Sequence, residues 1–193
     1  MSVIRAFIAV DLSSEIRQGL DEVMAGFKRQ LDGMPIRWVP ASNIHLTLKF
    51  LGDVSIATLE MLTKILKAEV ASHHPFEISV GGSGAYPNIR RPRVIWVGLE
   101  APAELGAVQS GIENTMARLG YAREERPFSP HLTLGRVGRS VSSQDVACIS
   151  KALETTKVGF LGAACVREVY LYRSDLKPSG AVYTPVFSAP LTE

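Results

Sequence analysis

Cysteine is scarce in this sequence, which contains only Cys148 and Cys165 among its 193 residues. Two cysteines in no metal-like spacing argue against a disulfide framework and against a structural zinc site, so we expect a reducing compartment, the cytoplasm. Long apolar runs are missing as well. No stretch reaches the ~18 apolar residues that a membrane span needs, and no apolar leader follows the amino terminus. We therefore expect no membrane partner.

The sequence also lacks a large excess of either positive or negative charge. The chain carries 21 lysines and arginines against 19 acidic residues, a formal net charge of +2. This balance excludes the strongly basic surface that binds long nucleic acids nonspecifically. Arginine is nevertheless concentrated between residues 86 and 140, where eight arginines stand against five glutamates, and such a region would attract a small anionic ligand. The length and the charge balance favour a monomer.

Several common catalytic motifs are missing. The sequence has no Walker A loop and no Rossmann glycine fingerprint, so neither a nucleoside triphosphatase nor a dehydrogenase is supported. It has no Gly-x-Ser-x-Gly elbow to present a nucleophilic serine. No carboxylate or cysteine recurs where a metal would need its third and fourth ligands, so we expect neither a metal nor another cofactor.

One tetrapeptide occurs twice. His45-Leu46-Thr47-Leu48 recurs as His131-Leu132-Thr133-Leu134. In an extended strand, successive side chains point to opposite faces, so each copy presents its His and Thr on one face and both leucines on the other. A single His on a half-buried strand is usually part of the scaffold, but two identical copies, each followed by glycine after a few residues, indicate a function.

Apolar periodicity predicts one order of elements in both halves of the chain: strand, helix, motif strand, helix, strand. Helices are predicted over residues 13–31, 55–71 and 105–119, and a fourth begins at Ser142 or Ser143 and includes Leu153. Strands are predicted over residues 4–10, 37–39, 44–51, 76–80, 94–99, 131–137, 166–172 and 183–187. Residues 83–93 are predicted to form a basic loop, and Pro178-Ser179-Gly180 a turn.

This order predicts an α+β fold. We expect a single bilobal domain, residues 1–193, built from pseudo-repeats at about 3–82 and 93–187, with two antiparallel sheets flanked by helices. The active-site cleft would lie between the sheets. If a pseudo-twofold axis relates the repeats, His45 and His131 face each other across that cleft, on opposite sides of a bound group.

Two facing histidines suit displacement at phosphorus. An imidazole titrates near pH ~6.5, so one ring can take a proton from the attacking oxygen while the other gives one to the leaving oxygen. Thr47 and Thr133 point the same way as the histidines and would bind the non-bridging phosphate oxygens. Alternation also places Lys49 on the polar face of His45 and Thr47, and Arg136, Lys49 or an arginine of the 90–93 loop would offset the negative charge.

These motifs and their flanks resemble the 2H phosphoesterase superfamily, and in particular the RNA 2′,3′-cyclic phosphodiesterase family, also called 2′-5′ RNA ligase. The likeness includes the segments Arg5-Ala6-Phe7-Ile8-Ala9-Val10, Arg37-Trp38-Val39-Pro40, Asn43 to Gly52, Arg91 to Trp96, Pro127 to Arg136 and Tyr170 to Ser174.

The resemblance implies a bilobal α+β fold and metal-independent hydrolysis of a terminal 2′,3′-cyclic phosphate on RNA to a 2′-phosphate. It implies that His131 is the base that activates water and that His45 is the acid that protonates the departing 3′ oxygen. It also implies reversible 2′-5′ joining of tRNA halves. The residues by themselves indicate a two-histidine phosphate site but not which histidine has which role.

Candidate substrate-binding residues are Lys49, Tyr86, Arg91 and Phe128, and Phe7 and Trp96 would stack a base unless they belong to the core. Three other functions stay open. The protein could be a 2H esterase for small cyclic nucleotides, such as ADP-ribose 1″,2″-cyclic phosphate, or for 2′-5′ oligonucleotides. It could be a noncatalytic module that binds RNA ends, or a plain structural duplication.

Overall fold

A computed structural model describes residues 2–178 and 180–192. The strands are β1 (Val3–Val10), β2 (Ile36–Trp38), β3 (Leu46–Ser55), β4 (Phe76–Tyr86), β5 (Val94–Glu100), β6 (His131–Val137), β7 (Phe160–Val166), β8 (Glu168–Lys177) and β9 (Gly180–Pro190). The helices are α1 (Ser14–Gln30), α2 (Ile56–Val70), α3 (Ala103–Arg118) and α4 (Ser143–Thr155), and residues Ala41–Asn43 form one 3-10 turn. This is the α+β fold that the sequence predicts.

Helices α1, α2 and α4 begin at the serines that the sequence indicates. Ser13 precedes α1 and its hydroxyl accepts a hydrogen bond from the Ile16 N–H. Ser55 caps α2 in the same way, and Ser142 forms a capping box with Asp145 at the start of α4. Each cap satisfies backbone N–H groups that the first turn of a helix leaves without partners.

The nine strands form two antiparallel sheets. The first sheet has the order β3-β1-β8-β9 and the second has the order β2-β6-β5-β4-β7. The first half of the chain therefore gives β1 and β3 to one sheet and β2 and β4 to the other, so the two lobes are not the two halves of the sequence. The motif strands β3 and β6 belong to different sheets and contact each other where the sheets meet.

A β-bulge interrupts the first motif strand directly after its threonine. Thr47 lies opposite Ala9 of β1, whereas Lys49 lies opposite Ile8, so Leu48 is an extra residue without a partner. An extra residue reverses the faces of the side chains that follow it, in this strand as far as a second register shift at Leu51. Lys49 is consequently turned inward and buried, and the next residue, Phe50, is exposed on the face of Thr47.

The second motif strand has a bulge at the equivalent position. Thr133 lies opposite Trp96 of β5 and Gly135 lies opposite Ile95, so Leu134 is the extra residue. Arg136 then takes the exposed face, as Phe50 does in the first motif. The duplication therefore includes an irregularity of the backbone, which alternation of apolar and polar residues does not predict.

The two faces of the first sheet pack differently. One face contributes to the main hydrophobic core together with residues of all four helices and of the second sheet. The opposite face carries a separate small cluster of Phe7, Ala9 and Tyr172, with Tyr170 and Tyr183 packed against it. The first sheet thus buries one apolar face in the main core and carries an aromatic cluster on the other.

Several predicted strands differ from the structure, and β3, β8 and β9 each continue past their predicted ends. β4 continues to Tyr86 through residues predicted to be a loop, because Gly82 adopts φ of 70° at a register shift and the strand resumes after it. β7 was not predicted as a strand of its own, since its centre, Gly162-Ala163-Ala164, lacks β-branched residues. β3 begins at Leu46, so His45 precedes it. The turn predicted at 178–180 includes Ser179, which lies outside the described residues.

No helix in the described part of the chain is long and apolar enough to cross a membrane.

Candidate active site

His45 lies between the short 3-10 turn and β3, and its ring is fixed by the backbone. Its Nδ1 lies 3.0 Å from the carbonyl oxygen of Asn43. A carbonyl only accepts hydrogen bonds, so Nδ1 carries the hydrogen and Nε2 holds the lone pair of the neutral ring. The ring therefore presents Nε2 to the cleft.

His131 is held in the same way. Its Nδ1 lies 2.8 Å from the carbonyl oxygen of Ser129, which is again two residues earlier in the chain. Nδ1 is therefore the donor in this ring too, and Nε2 is available for proton transfer. The two copies of the motif thus share the identity of the residues, the bulge that follows them and the hydrogen bond that orients the ring.

Aromatic rings enclose His45. Its centroid lies 4.4 Å from that of Tyr172, 5.7 Å from that of Tyr183 and 6.0 Å from that of Phe7. Only 9% of the residue is exposed. The Asp11 carboxylate is the nearest acidic group, with Oδ1 3.7 Å from the histidine Nε2. The rings of two tyrosines and one phenylalanine therefore surround this histidine, and a carboxylate lies next to its Nε2.

His131 has different neighbours and is more accessible. Tyr86 meets it edge-on, with the ring centroids 4.9 Å apart, and the Tyr86 hydroxyl lies 2.7 Å from the Ser129 hydroxyl. Tyr86 also lies beside Trp96, whose centroid is 5.3 Å away. The charged group that acts on the imidazole is Arg136. Tyr86 and Arg136 were both predicted from the sequence to lie at the site, and the structure brings both to His131.

The same effect dominates the pKa of each histidine. Burial lowers the pKa of His45 below its ordinary value, the Asn43 carbonyl and the Asp11 carboxylate partly oppose this, and Arg17 adds to it. Burial also lowers the pKa of His131, with the Ser129 carbonyl opposing and Arg136 adding to the effect. One ring therefore has a carboxylate beside it, and the other has a guanidinium.

The two motif threonines offer free hydroxyl groups. Thr47 and Thr133 are both half-buried, and each lies two residues after its histidine on the cleft face of its strand. Within the described residues neither hydroxyl has a hydrogen-bond partner. Two hydroxyls beside two imidazoles are suited to bind the non-bridging oxygens of a phosphate.

A second arginine accompanies Arg136. Arg37 of β2 lies directly opposite it in the antiparallel pair, and both side chains are exposed. Neither has a partner in the part of the chain that the structure describes. Like charges at opposing positions repel each other, so a bound anion between them would relieve that repulsion. Sequence reasoning did not assign Arg37 to the site, because cross-strand pairing is not visible in a linear pattern.

Lys49 does not share the polar face of His45 and Thr47, and this prediction is wrong. The bulge at Leu48 turns Lys49 inward, where its Nζ lies 2.8 Å from Glu113 Oε1 and 2.8 Å from the carbonyl oxygen of Ala122. Its side chain is only 3% exposed. We assign this lysine a structural role, joining β3 to α3.

The remaining two candidate substrate-binding residues, Arg91 and Phe128, do not contact either histidine ring. Arg91 is exposed in the turn between β4 and β5, where its backbone N–H bonds the Asn88 side chain. Phe128 is half-buried and packs against the main core. Neither contacts His45 or His131 through its ring or charge in the structure.

Sequence reasoning missed the groups around His45. In the sequence, Asp11 directly follows the predicted strand 4–10, and Tyr172 and Tyr183 lie in predicted strands with no indication that they meet. Phe50 takes the exposed position beside Phe7, with the ring centroids 6.1 Å apart. Their shared face follows from the pairing of β1 with β3 and β8, which a single sequence does not reveal.

Comparisons with known proteins identify the family of this chain. Two consecutive segments of the chain, residues 10–96 and 97–183, each match the family described as LigT like phosphoesterase. An RNA 2′,3′-cyclic phosphodiesterase of Methanothermobacter thermautotrophicus is 35% identical over 181 residues, which is 94% of this chain and 95% of the relative. A protein of the same name from Escherichia coli K12 is 32% identical, covering 98% and 97% of the two chains.

Solved structures match as well. The crystal structure of E. coli LigT complexed with 3′-AMP has a TM-score of 0.80 at 29% identity, and the match covers 100% of both chains. The family match extends over both halves, and the relatives match almost from end to end, so the resemblance read from the paired motifs is confirmed. This chain belongs to the LigT-like phosphoesterase family of the 2H superfamily.

Proposed function

We propose that this protein hydrolyses the 2′,3′-cyclic phosphate at the end of an RNA chain and leaves a 2′-phosphate. The observation that carries the proposal is the matched pair of histidines. Each donates Nδ1–H to the carbonyl two residues earlier, presents Nε2, and has a free threonine hydroxyl beside it. The names of the relatives, RNA 2′,3′-cyclic phosphodiesterase, support this substrate.

The reaction is an in-line displacement at phosphorus. A water molecule attacks phosphorus, its proton passes to Nε2 of His131, and a new P–O bond forms. The bond from phosphorus to the 3′ oxygen breaks, and that oxygen takes the proton from Nε2 of His45. Thr47, Thr133 and Arg136 bind the non-bridging oxygens and stabilise the charge that develops on them.

The surroundings of the rings support this assignment of roles. The ribose and its base stay attached on the side of the leaving 3′ oxygen, so the acid should lie beside a surface that accepts a nucleoside. His45 is that ring, because Tyr183 contacts it and the exposed Phe50 contacts Phe7, another of its aromatic neighbours. Stacking of a base on an aromatic side chain stabilises binding by about 1–3 kcal/mol. His131, the more accessible ring, faces the side from which water attacks.

The pH dependence follows from the two pKa values. The base His131 must be deprotonated and the acid His45 must be protonated. The plot of kcat/KM against pH is therefore bell-shaped, and its maximum lies midway between the two pKa values. Burial lowers both values below ~6.5. We expect the maximum of kcat/KM below about pH 6.5. Initial rates across pH 4.5 to 9 measure it, and a maximum above pH 7 would contradict the account.

The direct test uses a short RNA that ends in a 2′,3′-cyclic phosphate, incubated with the protein in excess EDTA. We expect conversion to the 2′-phosphate, identified by comparison with synthetic 2′- and 3′-phosphate standards. A 3′-phosphate product contradicts the proposed direction of opening. Binding without turnover points to a noncatalytic module, and turnover of 2′,3′-cyclic AMP but not of the RNA points to an esterase for small cyclic nucleotides.

A second reaction, 2′-5′ joining of two RNA pieces, is favoured by a groove that Trp96 lines. Trp96 contacts Tyr86, and Tyr86 in turn contacts His131. The groove has a volume of about 700 Å³ and is lined by Gly84, Arg90 and Trp96. A Cβ on Gly84 would lie 2.4 Å from Cζ2 of the indole, so only glycine lets the ring lie flat on β4. The buried Trp96 Nε1–H has no partner among the described residues.

We infer that this groove accepts the terminal nucleoside of an RNA with a 5′-hydroxyl, which then replaces water as the nucleophile. The proton transfers are unchanged, and the product is a 2′-5′ phosphodiester with a free 3′-hydroxyl. The two halves of a cleaved tRNA have the required ends. Adding a 5′-hydroxyl oligonucleotide to the assay tests this, because a joined product resistant to a 3′-5′-specific ribonuclease is expected, and its absence at saturating oligonucleotide contradicts it.

A further inference from the structure

Asp11 is the acidic group nearest to either histidine, and the sequence motifs do not include it. It directly follows β1, and its Oδ1 lies 3.7 Å from Nε2 of His45. That distance is within ion-pairing range and longer than a hydrogen bond. The carboxylate therefore acts on the proton of His45 through its charge, while Nε2 stays free to meet a substrate oxygen.

The carboxylate is held in place from several directions. The Arg17 guanidinium binds it directly, the Leu12 N–H donates to Oδ1 over 3.0 Å, and the Tyr172 hydroxyl lies close enough for the charge of the carboxylate to act on it. The hydroxyl stays protonated because burial and the nearby carboxylate raise the pKa of Tyr172. A carboxylate with these donors has a fixed position, although part of it is open to solvent.

Arg17 is itself anchored to the segment that carries His45. Its Nη1 donates to the carbonyl oxygens of Ala41 over 2.7 Å and of Ile44 over 3.2 Å. Asp11, Arg17 and the backbone before the histidine thus form one connected unit. A change in the position of this unit would move the carboxylate and the imidazole together, so their separation is maintained by the fold.

The second histidine has no equivalent. Among residues 2–178 and 180–192, no carboxylate lies within ion-pairing distance of His131, and the charged group that acts on it is Arg136. The site is symmetric in its motifs, bulges and ring-orienting hydrogen bonds, and it is asymmetric in these two charges. Two histidines in identical surroundings would have no reason to differ in protonation. The difference in the neighbouring charges lets one ring act as the acid and the other as the base.

We propose that Asp11 is a positioning residue that keeps the transferable proton on Nε2 of His45 and thereby makes this histidine, and not His131, the acid. The inference rests on the proposed function. Asp11 does not take part in the bond changes: the proton goes from His45 to the 3′ oxygen, and the carboxylate stays bound to Arg17. Before the next turnover, His45 regains a proton from solvent and His131 loses one.

The expected change in the pKa of His45 depends on all the titratable or charged groups that face this histidine. Asp11 follows β1 and Arg17 lies on α1, and Tyr172 and Tyr183 come from β8 and β9. Of these, Asp11 raises the pKa of His45 and Arg17 lowers it, against the larger lowering by burial. Removing the carboxylate leaves burial and Arg17 unopposed except by the Asn43 carbonyl. The pKa of His45 therefore falls in an Asp11→Asn variant.

The experiment measures this pKa directly in the free protein, by NMR titration of the imidazole nitrogens in wild type, Asp11→Asn and Asp21→Asn. Asp21 is an exposed carboxylate on α1 and serves as the control. We expect the His45 pKa to fall by at least about half a unit in Asp11→Asn, and the His131 pKa and the Asp21→Asn titrations to match wild type. An unchanged His45 pKa would overturn the proposal.

Two further readouts keep the test decisive. In wild type alone, the proposal requires the pKa of His45 to be the higher of the two, so the reverse order overturns it even if Asp11→Asn does not fold. In the hydrolysis assay, the alkaline limb of kcat/KM in Asp11→Asn should move to lower pH while the acidic limb stays in place. Because the NMR titration does not depend on turnover, failure of the proposed hydrolysis and failure of the Asp11 proposal are distinguishable.

Discussion

Replacing His131 or His45 with alanine should reduce kcat/KM for an RNA 2′,3′-cyclic phosphate by ~10² or more in each case, the usual contribution of a general acid or base. The His131→Ala variant cannot remove the proton from water, and the His45→Ala variant must expel an unprotonated 3′ oxygen. Both rings are oriented by a hydrogen bond to a backbone carbonyl, so each variant removes the proton-transfer group and leaves the carbonyl in place.

The matched control is His74→Ala, which removes an exposed histidine beyond α2 whose Nδ1 lies 2.9 Å from the Thr192 carbonyl oxygen. We expect its activity to equal that of wild type. Melting temperatures of all three variants show whether any loss arises from unfolding. Retention of more than about a tenth of wild-type activity in either motif variant, with the fold intact, would contradict general acid–base catalysis by that ring.

Replacing Lys49 with alanine should destabilise the protein by about 3–5 kcal/mol, the usual cost of removing one partner of a buried ion pair. Its ammonium group binds Glu113 and the Ala122 carbonyl in a site that exposes 3% of the lysine and 13% of the glutamate side chain. Glu113 already has one buried oxygen, Oε2, without a partner among the described residues. The variant would leave a buried carboxylate uncompensated.

Denaturant unfolding of three variants tests this prediction. The Lys64→Ala control removes an exposed ion pair with Glu60, in which the side chains are 73% and 80% exposed, and should change the free energy of unfolding by less than about 0.5 kcal/mol. The double variant Lys49→Met and Glu113→Leu should recover much of the lost stability, because it leaves no buried charge without a partner. A Lys49→Ala variant as stable as Lys64→Ala would show that the pair is not buried in solution.

The parts of the structure that the sequence predicts are those set by local rules. The serine caps at Ser13 and Ser142, the apolar stripes of the helices and the two motif strands all depend on residues close together in the chain. The duplicated tetrapeptide identifies His45 and His131 because a coincidence of four residues in strand-like surroundings is rare. The family resemblance then implies a reaction, hydrolysis of a cyclic phosphate, for which two imidazoles and two hydroxyls are suited.

The parts that the sequence does not predict depend on pairing between distant strands. Lys49 was placed on the polar face because strict alternation puts it there, and the bulge at Leu48 reverses it. Phe50 and Arg37 reach the cleft for the same kind of reason. Asp11 comes close to His45 only through the pairing of β1 with β3. A bulge and a cross-strand neighbour both depend on how two strands pair. The apolar and polar pattern of a single strand therefore does not predict them.

The central claim is that His45 is the acid and His131 the base of one displacement, and a sulfur-substituted substrate tests it most directly. In an RNA end whose cyclic phosphate carries sulfur in place of the 3′ oxygen, the leaving group is a thiolate. A thiol has a pKa of about 8.5, far below that of water at about 15.7, so a thiolate leaves without a proton donor.

We expect the His45→Ala variant to cleave this substrate at a rate close to that of wild type, a recovery of about 10²-fold or more relative to the oxygen substrate. The His131→Ala variant should stay inactive on both substrates, because its defect is in activating water. Recovery of His131→Ala in place of His45→Ala would reverse the two roles. Recovery of neither variant would contradict acid catalysis by His45.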